Sequence, residues 1–311
     1  MTGHPKFIQR KPIKTDAFRH LYPFRSHFLN RNGFQYHYLD EGSGDPVIML
    51  HGNPTWSFYY RSLVQALAPE YRTIVPDHIG CGLSDKPGPD EYDYTVKSRV
   101  EDLEALLAQL RIQSRITLVL HDWGGMIGLI FALRNLPSIS RLVITNTTGF
   151  FTPGGKGLPW RLKLIRHLTP LATIGVLGFN LFSVAALHMA SRKGLSKDVR
   201  MGLTAPYNCW ANRIATLKFV QDIPVSPRDP SYPLGRFMEE NLHKLASVPK
   251  LICWGEHDFV FTTAFLAEWK RRFPDAEVHQ FRDAGHYLLE DVPDRVIPLV
   301  KKFLRQHPLQ P

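Results

Sequence analysis

An α/β fold, with a mostly parallel sheet flanked by helices and a helical cap inserted late in the chain, is what this sequence predicts. Short apolar runs alternate with stretches of helical periodicity, the pattern that sets a parallel sheet between two helical layers. The alternation breaks between about 148 and 233, where helical composition continues without a strong strand. One apolar run also ends in an abrupt turn, His121-Asp122-Trp123-Gly124, with a helical pattern directly behind it.

Taken in order, Phe34 to Leu39, Val47 to Leu50 and Thr73 to Val75 read as the first strands. Val96 to Leu110 carries apolar residues at helical spacing, and its acid-rich face reads as solvated. Ile116 to Leu120 is the strand that leads into the turn, and Leu142 to Thr145 is the next. Pro153-Gly154-Gly155 then opens the cap. Within the cap, Leu171 to Ala190 is uncharged and mostly apolar, long enough to be weighed as a membrane span. A span would put two halves of one sheet on opposite sides of a bilayer. The stretch therefore reads as a buried cap lining an apolar pocket above the carboxyl ends of the strands, with peripheral membrane contact as the lesser alternative. Leu251 to Trp254 and Glu277 to Phe281 complete the sheet, and Val296 to Leu304 closes the chain as a helix. The expected division is a core of 1–147 with 234–311 and a cap of 148–233.

Composition narrows the function classes. A chain of 311 residues with 44% hydrophobic content suits one large core with an insertion. The formal net charge is +10, but Lys and Arg are scattered, with no long basic run and no aromatic interleaving, so nucleic acid is not an expected partner. Cys81, Cys209 and Cys253 are an odd number without metal-ligand spacing, which points to a reducing compartment. The start, Met1 to Lys6, lacks the apolar segment of a signal peptide, so the expectation is a cytoplasmic protein in which Asn146-Thr147-Thr148 is a chance sequon.

The chemistry begins at Asp122. A residue held at a sharp strand-to-helix turn stands at the top of the sheet as an exposed nucleophile, and here that residue is a carboxylate, which attacks carbon and leaves an ester on the enzyme. An aspartate after a strand is ordinarily only a turn former or helix cap. Two later segments change the balance, because hydrolases of this architecture run nucleophile, acid, histidine. Asp258 follows the strand Leu251 to Trp254, and His286 follows the strand Glu277 to Phe281. In that order His286 serves as base and Asp258 fixes its tautomer. The turn His51-Gly52-Asn53-Pro54 brings the backbone N–H of Asn53 beside that of Trp123 as an oxyanion hole, with the Asn53 amide and Trp123 indole converging on the same apex.

Those motifs, with Pro76-Asp77-His78-Ile79-Gly80, Gln221-Asp222-Ile223-Pro224 and Asp283-Ala284-Gly285-His286, resemble the haloalkane dehalogenase family of α/β hydrolases from about Phe34 to the last helix. Tyr92-Asp93-Tyr94-Thr95, Arg141 to Thr147 and Ala205-Pro206-Tyr207 are most similar to the branch that includes the β-lactone decarboxylases of bacterial olefin biosynthesis. The resemblance implies Asp122 as nucleophile, His286 as base, and Asn53 with Trp123 as the pair that holds the leaving group. Many dehalogenases carry the acid after the strand behind the elbow helix, where this chain has Asn146, so the acid role falls to Asp258. Leu120 departs from the glycine common at that elbow position. The implied substrate is small or long-chain and apolar, and neither a metal nor an organic cofactor is required; contact with a membrane surface or other pathway enzymes is a further possibility. Decarboxylation of a long-chain β-lactone is the leading expectation, ahead of haloalkane dehalogenation. Epoxide hydrolysis is disfavoured because the cap offers only Tyr207 and Tyr232 as donors, and a retired, ligand-binding hydrolase fold is disfavoured by the complete set Asp122, Asp258 and His286.

Overall fold

A computed structural model of the chain describes residues 11–155, 159–167 and 169–309. Eight strands form one sheet: β1 His27–Arg31, β2 Phe34–Glu41, β3 Pro46–Leu50, β4 Arg72–Pro76, β5 Ile116–Asp122, β6 Ile139–Thr147, β7 Lys250–Gly255 and β8 Glu277–Phe281. Their order across the sheet is β1-β2-β4-β3-β5-β6-β7-β8. β2 runs antiparallel to both its neighbours, β1 and β4, and the remaining pairs are parallel. All seven strands expected from the sequence are present. The additional one, β1, alternates only between half-buried and exposed residues, so it carries no apolar period by which to recognise it.

The central strands are mostly apolar because both sheet faces are covered. Side chains alternate strictly between two cores: Ile48, Leu118, Leu120, Ile144 and Ile252 pack on one face, and Val47, Val119, Val143, Leu251 and Cys253 on the other. Helices α1 Arg61–Leu67 and α12 Pro293–Gln306 cover the second face. Val296, Val300, Phe303 and Leu304 of α12 supply its buried stripe at helical spacing. On the first face lie α2 Val96–Gln109, α3 Trp123–Arg134, α9 Tyr232–Asn241 and α10 Thr263–Arg272. The acidic face of α2 is not wholly solvated as expected. Asp102 is buried, accepting from Arg31 Nε of β1 at 2.8 Å and from the Tyr92 hydroxyl at 2.6 Å; the unforeseen strand supplies its counter-charge.

Between β6 and α9 the chain builds a helical layer over the carboxyl ends of the strands, with α4 Trp160–His167, α5 Thr169–Thr173, a π-helical turn Ile174–Gly178, α6 Leu181–Met189, α7 Lys197–Thr204 and α8 Ile214–Gln221. The apolar stretch expected to lie buried is instead a bent pair, Pro170–Gly178 and Leu181–Met189, meeting at 71°. Part of the pair lines a cavity, while Ile174 and Phe179 are exposed away from it and Leu171 and Leu181 are exposed at its edge. Among the described residues no single helix is long and apolar enough to cross a membrane.

Candidate active site

Asp122 is the last residue of β5 and the cap of α3, with φ 50° and ψ −125°. A non-glycine residue in that region is strained, and the surrounding packing holds it there. Leu120, where the family pattern often has glycine, fits because Gly128 faces it: a Cβ on Gly128 would lie 2.3 Å from Leu120 Cδ2. The neighbouring loop is equally tight, since a Cβ on Gly52 would lie 2.0 Å from Asp122 Oδ1. That closeness lets the Asn53 backbone N–H donate to Asp122 Oδ1 at 2.8 Å.

His286 and Asp258 converge on the same point from the ends of β8 and β7. Nδ1 of His286 lies 2.7 Å from Asp258 Oδ2, and its Nε2 lies 3.4 Å from Asp122 Oδ2. The imidazole thus spans the two carboxylates, with its ring orientation set by Asp258. Burial alone would push His286 down, but the Asp258 and Asp122 carboxylates outweigh it and raise the imidazole to about 10. Burial also opposes charge on Asp122; contact with His286 and its charge outweigh that, helped by the Asn53 N–H, and hold Asp122 below the ordinary carboxylate range. At neutral pH the site therefore holds an Asp122 carboxylate beside a His286 imidazolium.

Three supports were not foreseen in these roles. Asn146 donates from Nδ2 to Asp258 Oδ2 and to the Gly255 carbonyl, both at 3.0 Å, and accepts the Gly255 N–H at 2.9 Å. The residue that excludes a carboxylate at one position thus holds the Asp258 carboxylate at the other, and its burial keeps the sequon out of reach. Val260 and Phe261 donate backbone N–H groups to Asp258 Oδ1 at 2.7 and 3.0 Å. Asp291 accepts from the Gly285 N–H at 2.7 Å, the Ser191 hydroxyl at 2.6 Å and the Lys193 N–H at 3.0 Å, fastening the His286 loop to the segment that follows α6. Nothing in Glu290-Asp291 as a sequence distinguishes it from an ordinary acidic helix start. The departure at Asn146, by contrast, was a signal.

Above Asp122 lies a cavity of about 880 Å³, within the range of small-molecule sites. Its walls are predominantly apolar, including Met126, Phe150, Ile165, Val176, Phe182 and Phe265. Asn53, Trp123 and His286 line it beside Asp122. The Asn53 amide is tethered by donation to the Thr216 carbonyl at 2.9 Å, and the Trp123 ring packs on Phe219. Neither cap tyrosine reaches the cavity. The Tyr207 hydroxyl donates to the Thr55 carbonyl, and Tyr232 stacks on Phe151.

Residues 45–293 match the family model for the alpha/beta hydrolase fold. The chain belongs to the α/β hydrolases. It is 54% identical over 287 residues to the cis-3-alkyl-4-alkyloxetan-2-one decarboxylase of Shewanella oneidensis, covering 92% of this chain and 90% of that protein. The protein of the same name from Xanthomonas campestris pv. campestris is 46% identical over 286 residues, covering 90% and 95%. Among solved structures, the haloalkane dehalogenase DbeA of Bradyrhizobium elkani superposes with a TM-score of 0.80 at 25% identity, covering 91% of this hydrolase and 98% of that chain. The hydrolase therefore belongs with the oxetanone decarboxylases, and dehalogenases are more distant kin.

Proposed function

We propose that this hydrolase decarboxylates cis-3,4-dialkyl β-lactones to olefins, with residues 148–233 as the cap that encloses the alkyl arms. The observation that carries the reading is an Asp carboxylate, ionised and held at a strained apex, facing an apolar cavity of about 880 Å³. Relatives named for this conversion support the choice of substrate over a haloalkane.

The steps balance without an added reactant. Asp122 Oδ2, the oxygen not held by the Asn53 N–H, attacks the ring carbon that bears the ring oxygen; that carbon–oxygen bond breaks, and the ring oxygen leaves as part of a new carboxylate. Asn53, Trp123 and the His286 imidazolium receive the negative charge. The carboxylate then leaves as carbon dioxide, its bonding pair forms the double bond, and the ester bond to Asp122 breaks to restore the free carboxylate. Water is not consumed. A bromoalkane offers no such exit, so its ester on Asp122 leaves only by hydrolysis, for which His286 is the base.

The test is gas chromatography of products from a series of dialkyl β-lactones beside a series of bromoalkanes. Each buried methylene contributes at most about 0.8 kcal/mol, so two added carbons should raise kcat/KM roughly tenfold until the cavity is full. Bromide release from short bromoalkanes, with no olefin from any lactone, would overturn the proposal in favour of dehalogenation.

A further inference from the structure

The chain contains no Asp or Glu between Asp122 and Asp198, although Lys and Arg recur throughout that interval. The basic residues of the protein are scattered, but the acidic ones are not, and their gap coincides with the first half of the cap. Within the cap, Trp160, Leu171 and Phe179 have relative exposures of 67%, 67% and 70%, high for side chains of this size. Trp160, Leu164, Leu171 and Leu181 both line the cavity and reach solvent, so they ring its mouth. Ile174 and Phe179 extend the same apolar surface beyond it. Exposed apolar groups in such concentration mark a surface that meets another apolar phase.

The charges flank that surface. Arg161 and Lys163 are exposed on α4, on the same short helix as Trp160 and Leu164, and the Arg161 guanidinium sits 5.0 Å from the Trp160 ring centroid. An aromatic ring beside exposed cations, next to aliphatic side chains, is the composition of a segment that lies in the headgroup region of a bilayer. Among the described residues no single helix is long and apolar enough to cross a bilayer. From the apolar ring, the bases beside it and the lack of Asp and Glu in this stretch of sequence, we infer that this face of the cap docks on an anionic lipid bilayer, with the cavity mouth opening toward the acyl chains. A water-insoluble substrate would then pass from membrane to Asp122 without crossing water, and an olefin would leave by the same path.

The experiment is co-sedimentation with sucrose-loaded vesicles, without substrate, so that it reads docking independently of the chemistry. Vesicles of phosphatidylcholine with phosphatidylglycerol should pellet the protein, and pure phosphatidylcholine or high salt should pellet it less. Ile174→Ser with Phe179→Ser, at positions outside the cavity lining, should weaken binding about tenfold or more. Lys163→Glu, a change unable to disturb the core, should weaken it about fivefold or more. Both variants should still release olefin from a short, water-dispersed β-lactone. Wild-type protein left in the supernatant with anionic vesicles, as expected if the patch meets a protein instead, would overturn the inference; so would variants that pellet like wild type.

Discussion

Among the described residues two aspartates hold a histidine at 2.7 Å, Asp77 with His37 and Asp258 with His286, and the histidine of the second pair lines the cavity above Asp122. The oxygens of Asp77 are occupied on every side. His37 Nδ1, the Ser57 N–H at 2.7 Å and the Leu83 N–H at 2.8 Å all point at them, deep beneath the loops that follow β3 and β4. Burial opposes charge there, and His37 with those donors outweighs it, holding Asp77 well below the usual carboxylate range. Asp122 differs in what it lacks. One oxygen has a single close donor, Asn53 N–H, and the other has only His286 at 3.4 Å, so lone pairs remain free on the cavity side. A carboxylate saturated with donors is a strut; one left half-satisfied at the foot of an apolar cavity is a reagent.

Substitutions at the reacting site should separate the two most widely. Asp122→Asn removes the proposed nucleophile and should lower olefin release by more than about 10⁴-fold. Asp258→Asn should cost about 10³ to 10⁴-fold, because His286 loses both its orienting partner and the charge that raises it. Asn146→Ala should cost only about tenfold, since the Val260 and Phe261 N–H groups still hold Asp258. Single-turnover product analysis ranks the three, and near-normal turnover by Asp258→Asn would move the acid role elsewhere, Glu256 being the nearest carboxylate in sequence.

At the strut the ranking should reverse. Asp77→Ala leaves a buried histidine and two backbone N–H groups without their acceptor, and should lower unfolding stability by about 3–5 kcal/mol. Asp122→Asn should change it by no more than about 1 kcal/mol, because a half-satisfied functional group contributes little to the fold. Urea unfolding of the two variants reads this directly. A large loss from Asp122→Asn with none from Asp77→Ala would mean that the two roles have been exchanged.

How far each region was legible in the sequence follows from how local its signals are. The sheet was readable because β3, β5, β6 and β7 are buried on both faces and so carry predominantly apolar stretches. The candidate triad was readable because a strained apex, a strand end and a second strand end must occur in a set chain order. What escaped depends on contacts between distant segments. Asn146 meets Asp258 across 112 residues, and Arg31 of the half-exposed β1 meets Asp102 across 71. The cap stretch 171–190 was legible as a cavity wall but not in its bend, because an apolar run records hydrophobicity on both sides of a helix and not which side stays wet.

The finest test of the comparison is pH. Asp122 is lowered by folding, so its contribution to stability is present above the ordinary carboxylate value near 4 and is lost as pH falls through its folded value. His286 is raised to about 10, so its contribution is fully present below its unfolded value near 6.5, erodes as pH rises, and is gone above about 10. Lactone opening uses both charges, so olefin release should stay within about twofold from pH 6 to 9 and fall as His286 loses its proton near 10. Bromoalkane turnover should behave differently. Alkylation cancels the Asp122 charge, His286 falls because one of its two carboxylates is gone, and hydrolysis waits for the neutral imidazole, so steady-state bromide release should rise with pH while the initial burst does not. Olefin release that climbs with pH in the same way would show that His286 must be neutral for the lactone too, and the water-free route from Asp122 would fail.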